Sequence, residues 1–143
     1  MHQVGVGVDQ RIHQRRKTGG IASALQGVIA GGTGTDANIG RPAGGKTGSA
    51  QNNTDAWFCG YTPQLATAVW VGVAEPRTNS NGERSLVSMT PPNTRITVFG
   101  GNYPARIWAR FMKQAMADTP ATPLVDPATE PIPTTTVPAP NPA

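Results

Sequence analysis

The sequence is poor in the residues that build metal sites, disulfides and large cores. Its 143 residues include one cysteine, Cys59, and two histidines, His2 and His13. A single cysteine excludes an internal disulfide, and so few ligands give no basis for a zinc site. We therefore expect no metal and no other cofactor, a half-buried Cys59 and two surface histidines. Leu, Ile, Val and Phe supply only 25 residues, which predicts a thin hydrophobic core.

Long apolar runs are missing as well. No stretch approaches the ~18 consecutive apolar residues of a membrane-spanning helix, and the N-terminus lacks the apolar centre of a signal peptide. We therefore expect no membrane segment and no export signal in this chain. The abundant residues are instead 17 glycines and 14 prolines, which interrupt helices and strands.

Composition divides the chain into three segments. Residues 1–20 form an unassigned basic segment, because four of the twelve basic residues lie within 11–17. Such a run can bind phosphates or anionic lipid, but it has no interleaved aromatics and no nucleic-acid motif, so we expect no nucleic-acid partner. Residues 119–143 contain eight prolines and six threonines, which predicts an extended, disordered tail. Residues 21–118 would then form the folded body.

Hydrophobic periodicity predicts the elements of that body. One helical face contains Ile21, Leu25, Val28 and Ile29, and the glycines at 31 and 32 should end this helix. Two β-rich runs at 57–61 and 65–73, joined by residues 62–64, predict a hairpin whose second strand is covered on both faces. A loop-like stretch follows from 75 to 97.

A last helix should begin near Pro104, since proline suits the first helical turn. Its apolar stripe would contain Ile107, Trp108, Phe111, Met112 and Ala115. Helix, strands, loop and helix together predict an α/β fold of the layered α+β kind, with few strands and a broad apolar face.

The glycine-rich segment at 40–49 can be interpreted in two ways. Gly40–Thr47 satisfies G-x-x-x-x-G-K-[ST], the phosphate-binding P-loop. That loop needs a buried strand before it and a helix that begins at the lysine. Residues 35–39 are mostly polar, and the glycine and asparagines that follow are poor helix formers. A P-loop-like nucleotide-binding protein therefore stays as an alternative that its surroundings disfavour.

The other interpretation places Lys46-Thr47-Gly48 on a strand as a K-T-G motif. Alternation then directs Lys46 and Gly48 to one face and Thr47 to the other. A lysine at this place would attract a substrate carboxylate. Gly48 would leave room for a substrate backbone, and the amide of Ser49 could donate to a developing oxyanion.

Three stretches, 44–49, 55–63 and 68–72, closely resemble the end of the transpeptidase domain of class A, bifunctional penicillin-binding proteins. Residues 25–28, 32–35 and 100–108 are similar to the elements around that region, and the Pro/Thr-rich tail resembles those of actinobacterial members. The likeness runs from about Ile21 to Ala117, and residues 1–17 do not share it.

The resemblance implies the C-terminal part of a penicillin-binding-protein or β-lactamase-like serine transferase domain. Its antiparallel strands would carry the K-T-G motif and pack against N- and C-terminal helices. Such enzymes cross-link peptidoglycan stem peptides at D-Ala-D-Ala, are acylated by β-lactams, carry a glycosyltransferase domain and work at the extracytoplasmic face of the membrane. By position, Lys46 and Thr47 would hold the substrate carboxylate, Gly48 would give clearance, and the Ser49 amide would be one oxyanion donor.

Two motifs of that family are missing from this sequence. None of the five serines begins S-x-x-K, and no Ser-x-Asn occurs. A serine nucleophile needs an activating base within reach, so we expect that this chain alone is not acylated. It would need the missing N-terminal part of the domain as its partner. A noncatalytic truncated remnant with a basic anion-binding segment is the other alternative.

Overall fold

A computed structural model describes the backbone of residues 2–9 together with residues 19–78 and 80–124. The predictions for the basic run at 11–17 and for residues 125–143 lie outside the described residues. The helices are α1 (Gly19–Ala30) and α2 (Tyr103–Ala115). The strands are β1 (His2–Asp9), β2 (Gly44–Ser49), β3 (Asp55–Tyr61), β4 (Ala66–Val73), β5 (Arg77–Thr78) and β6 (Arg84–Ser85).

Four strands form one antiparallel sheet in the order β1-β4-β3-β2. The predicted hairpin is confirmed, since Tyr61 of β3 pairs with Ala66 of β4 across the short connection. The expected loop at 75–97 contains a second small hairpin, β5 with β6. The layered α+β fold is therefore confirmed. Strand β1 was not predicted, although valines alternate with other residues along it at 4, 6 and 8.

One face of the sheet carries the core. Along β4, Thr67, Val69 and Val71 are buried, whereas the alternate positions Ala66 and Ala68 are half-buried. The other side of β4 is half-buried at 66, 68 and 70 and buried at Gly72, so the expected cover on both faces is met only in part. Residues of both helices belong to the buried cluster on the first face. We call the second side the outer face.

Phe58 and Trp108 form the centre of the core. Both side chains are fully buried, their ring centroids are 5.3 Å apart, and the rings meet edge to face at 61°. A Cβ atom at Gly34 or Gly45 would lie 2.8 or 2.5 Å from the Phe58 ring, and one at Gly60 would lie 2.6 Å from the Trp108 ring. The aromatic pair fits because glycine occupies these three positions.

Helix α1 is confirmed, but its buried side differs from the predicted one. Ala22 and Ile29 are buried, Leu25 and Val28 are half-buried, and Ile21 is 62% exposed. The helix contacts the sheet through β2, the edge strand, so only a narrow side of it is covered.

Helix α2 begins as predicted, with proline in its first turn. The side-chain oxygen of Asn102 accepts hydrogen bonds from the amides of Tyr103 and Phe99, at 2.6 and 3.0 Å, which caps the helix. Four of the five predicted stripe residues pack in the core: Trp108 and Met112 are buried, and Ile107 and Phe111 are partly buried against it. Pro104, Ala105 and Ala109 are buried as well. Ala115 is exposed. The alanines at 105 and 109 belong to the same buried cluster as the inner residues of the sheet.

The end of α2 is tied to the loop that precedes β2. The guanidinium of Arg41 donates to the carbonyls of Met116 and Thr119, at 2.9 and 2.7 Å, a cation placed where the helix dipole is negative. The first residues of the Pro/Thr-rich segment also lie against the body, since Gln64 donates to the carbonyl of Pro120 at 3.2 Å and Leu124 is buried.

Neither described helix is long and apolar enough to cross a membrane. Within the described ranges there is also no group of three or more His, Cys, Asp or Glu residues that could hold a metal ion.

The glycine packing generates a stability prediction. Gly60→Ala should lower the free energy of unfolding by about 1–3 kcal/mol, because the added methyl group meets the fully buried Trp108 ring. Urea unfolding followed by tryptophan fluorescence measures this change. The control is Gly27→Ala in α1, where nothing lies within 4 Å of the new Cβ, and it should stabilise by up to about 1 kcal/mol. Equal stability of Gly60→Ala and wild type would contradict the packing.

Candidate functional site

The K-T-G motif lies on β2, at the edge of the sheet. Lys46, Thr47 and Gly48 pair with Cys59, Phe58 and Trp57 of β3, and the other side of β2 has no neighbouring strand among the described residues. Because Lys46 sits inside a strand rather than at the start of a helix, the segment lacks the geometry of a P-loop.

The backbone of β2 presents hydrogen-bonding groups to its open edge. The amide of Ala50 donates to the carbonyl of Asp55 at 2.9 Å, in continuous register with the β2–β3 ladder. Backbone groups alternate in direction along an antiparallel strand, so those of Lys46 and Gly48 face β3. Those of Thr47 and Ser49 face the open edge.

The ammonium group of Lys46 reaches the same edge. Its Nζ atom donates to the carbonyl of Thr47 at 2.8 Å, although the two side chains leave opposite faces of the strand. The lysine is exposed and the bond is intramolecular, so a ligand anion can replace the carbonyl. A positive charge therefore stands beside the backbone groups of the open edge.

The hydroxyl of Thr47 has a protein partner on the inner side of the strand. Its Oγ1 atom lies 2.8 Å from the Oγ1 atom of Thr33, in the turn after α1, and either oxygen can be the donor. The sequence analysis gave Thr33 no role. The signal that could have found it is the Gly-Thr-Gly-Thr sequence at 32–35, whose glycines mark a tight approach to the sheet.

Gly100 covers the inner side of the motif. Its amide donates to Oγ of Ser49 at 3.0 Å. A Cβ at Gly100 would lie 2.3 Å from the carbonyl oxygen of Trp57 and 2.8 Å from the amide nitrogen of Gly48. The loop before α2 therefore supports the Gly48–Ser49 end of β2 by backbone contact that a side chain would prevent.

The outer face beside the motif is aromatic and open. Trp57 is 44% exposed and packs at a tilt against Trp70, with ring centroids 6.3 Å apart. The indole N–H of Trp70 donates to the Asp55 carboxylate at 2.8 Å.

Two further side chains of β3 lie beside the tryptophans. Burial raises the pKa of the Tyr61 phenol, so it stays neutral at physiological pH. Cys59 is exposed, which corrects the expectation that it is half-buried; it points to the outer face, where no described element covers it.

The site is a wall rather than a pocket. A groove of about 410 Å³ does occur, between β4, the loop before α2 and the first turns of that helix. It is lined by residues such as Val71, Ile96 and Ile107 and by none from β2. The four motif residues of β2 thus come together at an open edge, and their ligand would need a second wall.

Known proteins are similar to this chain in sequence. Penicillin-binding protein 1A of Mycolicibacterium smegmatis is 36% identical over 104 residues, which are 69% of this chain and 12% of that protein. Penicillin-binding protein 1A of Pseudomonas aeruginosa is 32% identical over 120 residues, 82% of this chain and 13% of that protein. No protein-family profile matches the chain.

Solved structures agree with the sequence relatives. The penicillin-binding protein PonA1 from Mycobacterium tuberculosis superimposes with a TM-score of 0.56 at 29% identity, covering 82% of this chain and 30% of that chain. A structure of PonA1 in complex with penicillin V gives a TM-score of 0.51 at 30% identity, over 73% of this chain and 26% of the other.

The sheet and helices of this chain thus have the fold of penicillin-binding proteins. The chain belongs to the class A penicillin-binding protein family, where it corresponds to part of the transpeptidase domain. It spans about an eighth of the length of the curated relatives described above.

The contact of Gly100 generates a prediction for the site. Gly100→Ala should increase hydrogen exchange at the Gly48 amide by an amount equivalent to about 1–3 kcal/mol, because its methyl group would collide with the β2–β3 backbone. Exchange followed by NMR measures the loss of protection. Gly31→Ala is the control, since nothing lies within 4 Å of its new Cβ. Unchanged exchange at Gly48 in Gly100→Ala would show that the loop does not support the strand.

Proposed function

We propose that this chain supplies the substrate-binding wall of a D,D-transpeptidase site. Its ligand would be the C-terminal carboxylate of a D-Ala-D-Ala stem peptide of peptidoglycan, or the carboxylate of a β-lactam. One observation carries the proposal: the Lys46 ammonium, the Thr47 hydroxyl and the Ser49 amide belong to one short strand with an open edge.

Lys46 and Thr47 would hold the carboxylate. An ammonium and a hydroxyl are both donors to an ionised oxygen, and such charge-assisted bonds are the strong ones. The carboxylate would take the place of the Thr47 carbonyl at the Lys46 ammonium. This exchange replaces a neutral acceptor by a charged one, so it favours the bound state.

Gly48 and Ser49 would serve the reacting carbonyl. The amide of Ser49 faces the open edge, where it can donate to the oxygen that becomes negative when the carbonyl is attacked. Gly48 carries no side chain, so the backbone of a peptide could approach the strand closely. The contact between Gly100 and Ser49 would hold this donor in place before the ligand arrives.

The nucleophile would come from another part of the domain, with the S-x-x-K and S-x-N motifs. Its serine hydroxyl would attack the carbonyl carbon between the two D-Ala residues, the terminal D-Ala would leave, and an amine of a second stem peptide would take the acyl group. No cofactor takes part. In the intact enzyme this reaction would occur at the extracytoplasmic face of the membrane.

The outer face is where that missing part would pack. Trp57 and Cys59 are exposed there beside the half-buried Trp70. Exposed aromatic side chains of this kind are enriched at interfaces. The same packing would form the second wall of the cleft, because Lys46 shares this face with Trp57 and Cys59.

Carboxylate binding can be measured on the chain itself. An N-acetylated peptide ending in D-Ala-D-Ala should shift the NMR signals of the β2 amides, and its C-terminal amide should bind more weakly. Lys46→Met should weaken binding of the acid by about tenfold to a hundredfold, the range of one hydrogen bond to a charged group. The matched control is Lys113→Met, which removes an exposed lysine on α2. Equal binding of acid and amide by wild type would refute the proposed function.

Acylation tests the dependence on the missing part. Incubation of this chain with a penicillin should leave its intact mass unchanged, because none of its serines has the S-x-x-K setting. Addition of a separately produced N-terminal part of a transpeptidase domain, carrying S-x-x-K, should produce an adduct on that part. An adduct on any of the five serines of this chain would overturn the prediction.

A further inference from the structure

Thr33 is a polar contact of the motif that the K-T-G pattern does not include. It follows α1 in the chain, and its Oγ1 atom lies 2.8 Å from that of Thr47. Both hydroxyls are at least partly open to solvent. The pair therefore joins the turn after α1 to the residue that, in the proposed function, holds the substrate carboxylate.

The backbone holds Thr33 firmly although its side chain is exposed. On one side, the amide of Gly32 donates to the carbonyl of Gly27 at 3.0 Å. On the other, the amide of Gly34 donates to the carbonyl of Val28 at 2.9 Å. The carbonyl of Thr33 also packs against Gly101, where a Cβ would lie 2.1 Å away. The threonine hydroxyl is thus presented to Thr47 by a closely packed turn.

The direction in which the two hydroxyls donate their protons decides whether Thr47 can also donate to a ligand. A hydroxyl has one proton to donate and two lone pairs to accept with. If Thr47 donates to Thr33, its proton is used and it cannot donate to a carboxylate. If Thr33 donates to Thr47, the proton of Thr47 stays available, and donation in a chain strengthens each bond.

We propose that Thr33 is a positioning residue for the carboxylate site: it donates to Thr47 and so directs the Thr47 proton to the carboxylate of the ligand. The inference rests on the proposed function. An anionic ligand selects this orientation of the two protons, because the other one would place two acceptors against each other.

The test is a double-mutant cycle on binding of the N-acetylated D-Ala-D-Ala peptide to the full chain, with its C-terminal amide in parallel. Thr33→Val keeps the shape and removes the donor, so acid binding should weaken by about threefold to tenfold, the range of one net hydrogen bond. Binding of the amide should not change. Thr33→Ser keeps the hydroxyl and should bind the acid within about twofold of wild type.

The second arm separates positioning from direct contact. In a Thr47→Val background, Thr33→Val should have no further effect, since Thr33 acts through Thr47. A full additional loss in that background would show that Thr33 contacts the ligand itself, and would overturn the inference. So would wild-type affinity in Thr33→Val, or a loss in Thr33→Ser equal to that in Thr33→Val.

The two proposals fail in different ways. If the wild-type chain binds acid and amide equally, the carboxylate site is refuted and the inference with it. If wild type prefers the acid and Thr33→Val does so equally, the site stands and the positioning role is refuted. Circular dichroism and the methyl spectrum around Phe58 verify that each variant is folded.

Discussion

The edge-to-face contact between Phe58 and Trp108 sets the distance between the sheet and α2, and the candidate site depends on it. The two rings fill the space above the centre of the sheet, and the strand that carries the motif must pass them without a side chain at Gly45. The residue before Lys46 is therefore fixed by packing. Gly45 lies in the sequence that resembles a P-loop, but here a glycine is needed at this position because the Phe58 ring leaves no room for a side chain.

The candidate functional groups of the chain lie along one strand edge, which can form one side of a cleft. These groups are the Lys46 ammonium, the Thr47 hydroxyl and the Ser49 amide of β2. The other side of the proposed ligand would be contacted by another part of the protein. The helices lie on the inner face, so the outer face, with its exposed Trp57, is where that second half would attach. The chain covers only about an eighth of the length of its relatives.

The elements whose signals are local could be predicted from the sequence. Alternation predicted the hairpin, and Pro104 marked the start of α2. The buried faces of these elements were harder to predict, because burial depends on neighbours. Ile21 has the right spacing, but α1 contacts the sheet through an edge strand, and the second side of β4 is mostly half-buried. Strand β1 was missed because its valines lie next to the basic run. Thr33 was missed as well: the glycines around it mark a tight turn, but its link to Thr47 joins residues fourteen positions apart.

The open edge of β2 has a consequence for how the chain behaves at high concentration. Unpaired amides and carbonyls on an edge strand are a template for any other strand, and proteins usually guard such edges with charge, most often lysine. Lys46 protects the edge of β2 in this way, because its ammonium group donates a hydrogen bond to the carbonyl of Thr47. The contact that the proposed ligand would displace therefore also opposes edge-to-edge aggregation, so the proposed recognition and colloidal stability would depend on the same hydrogen bond.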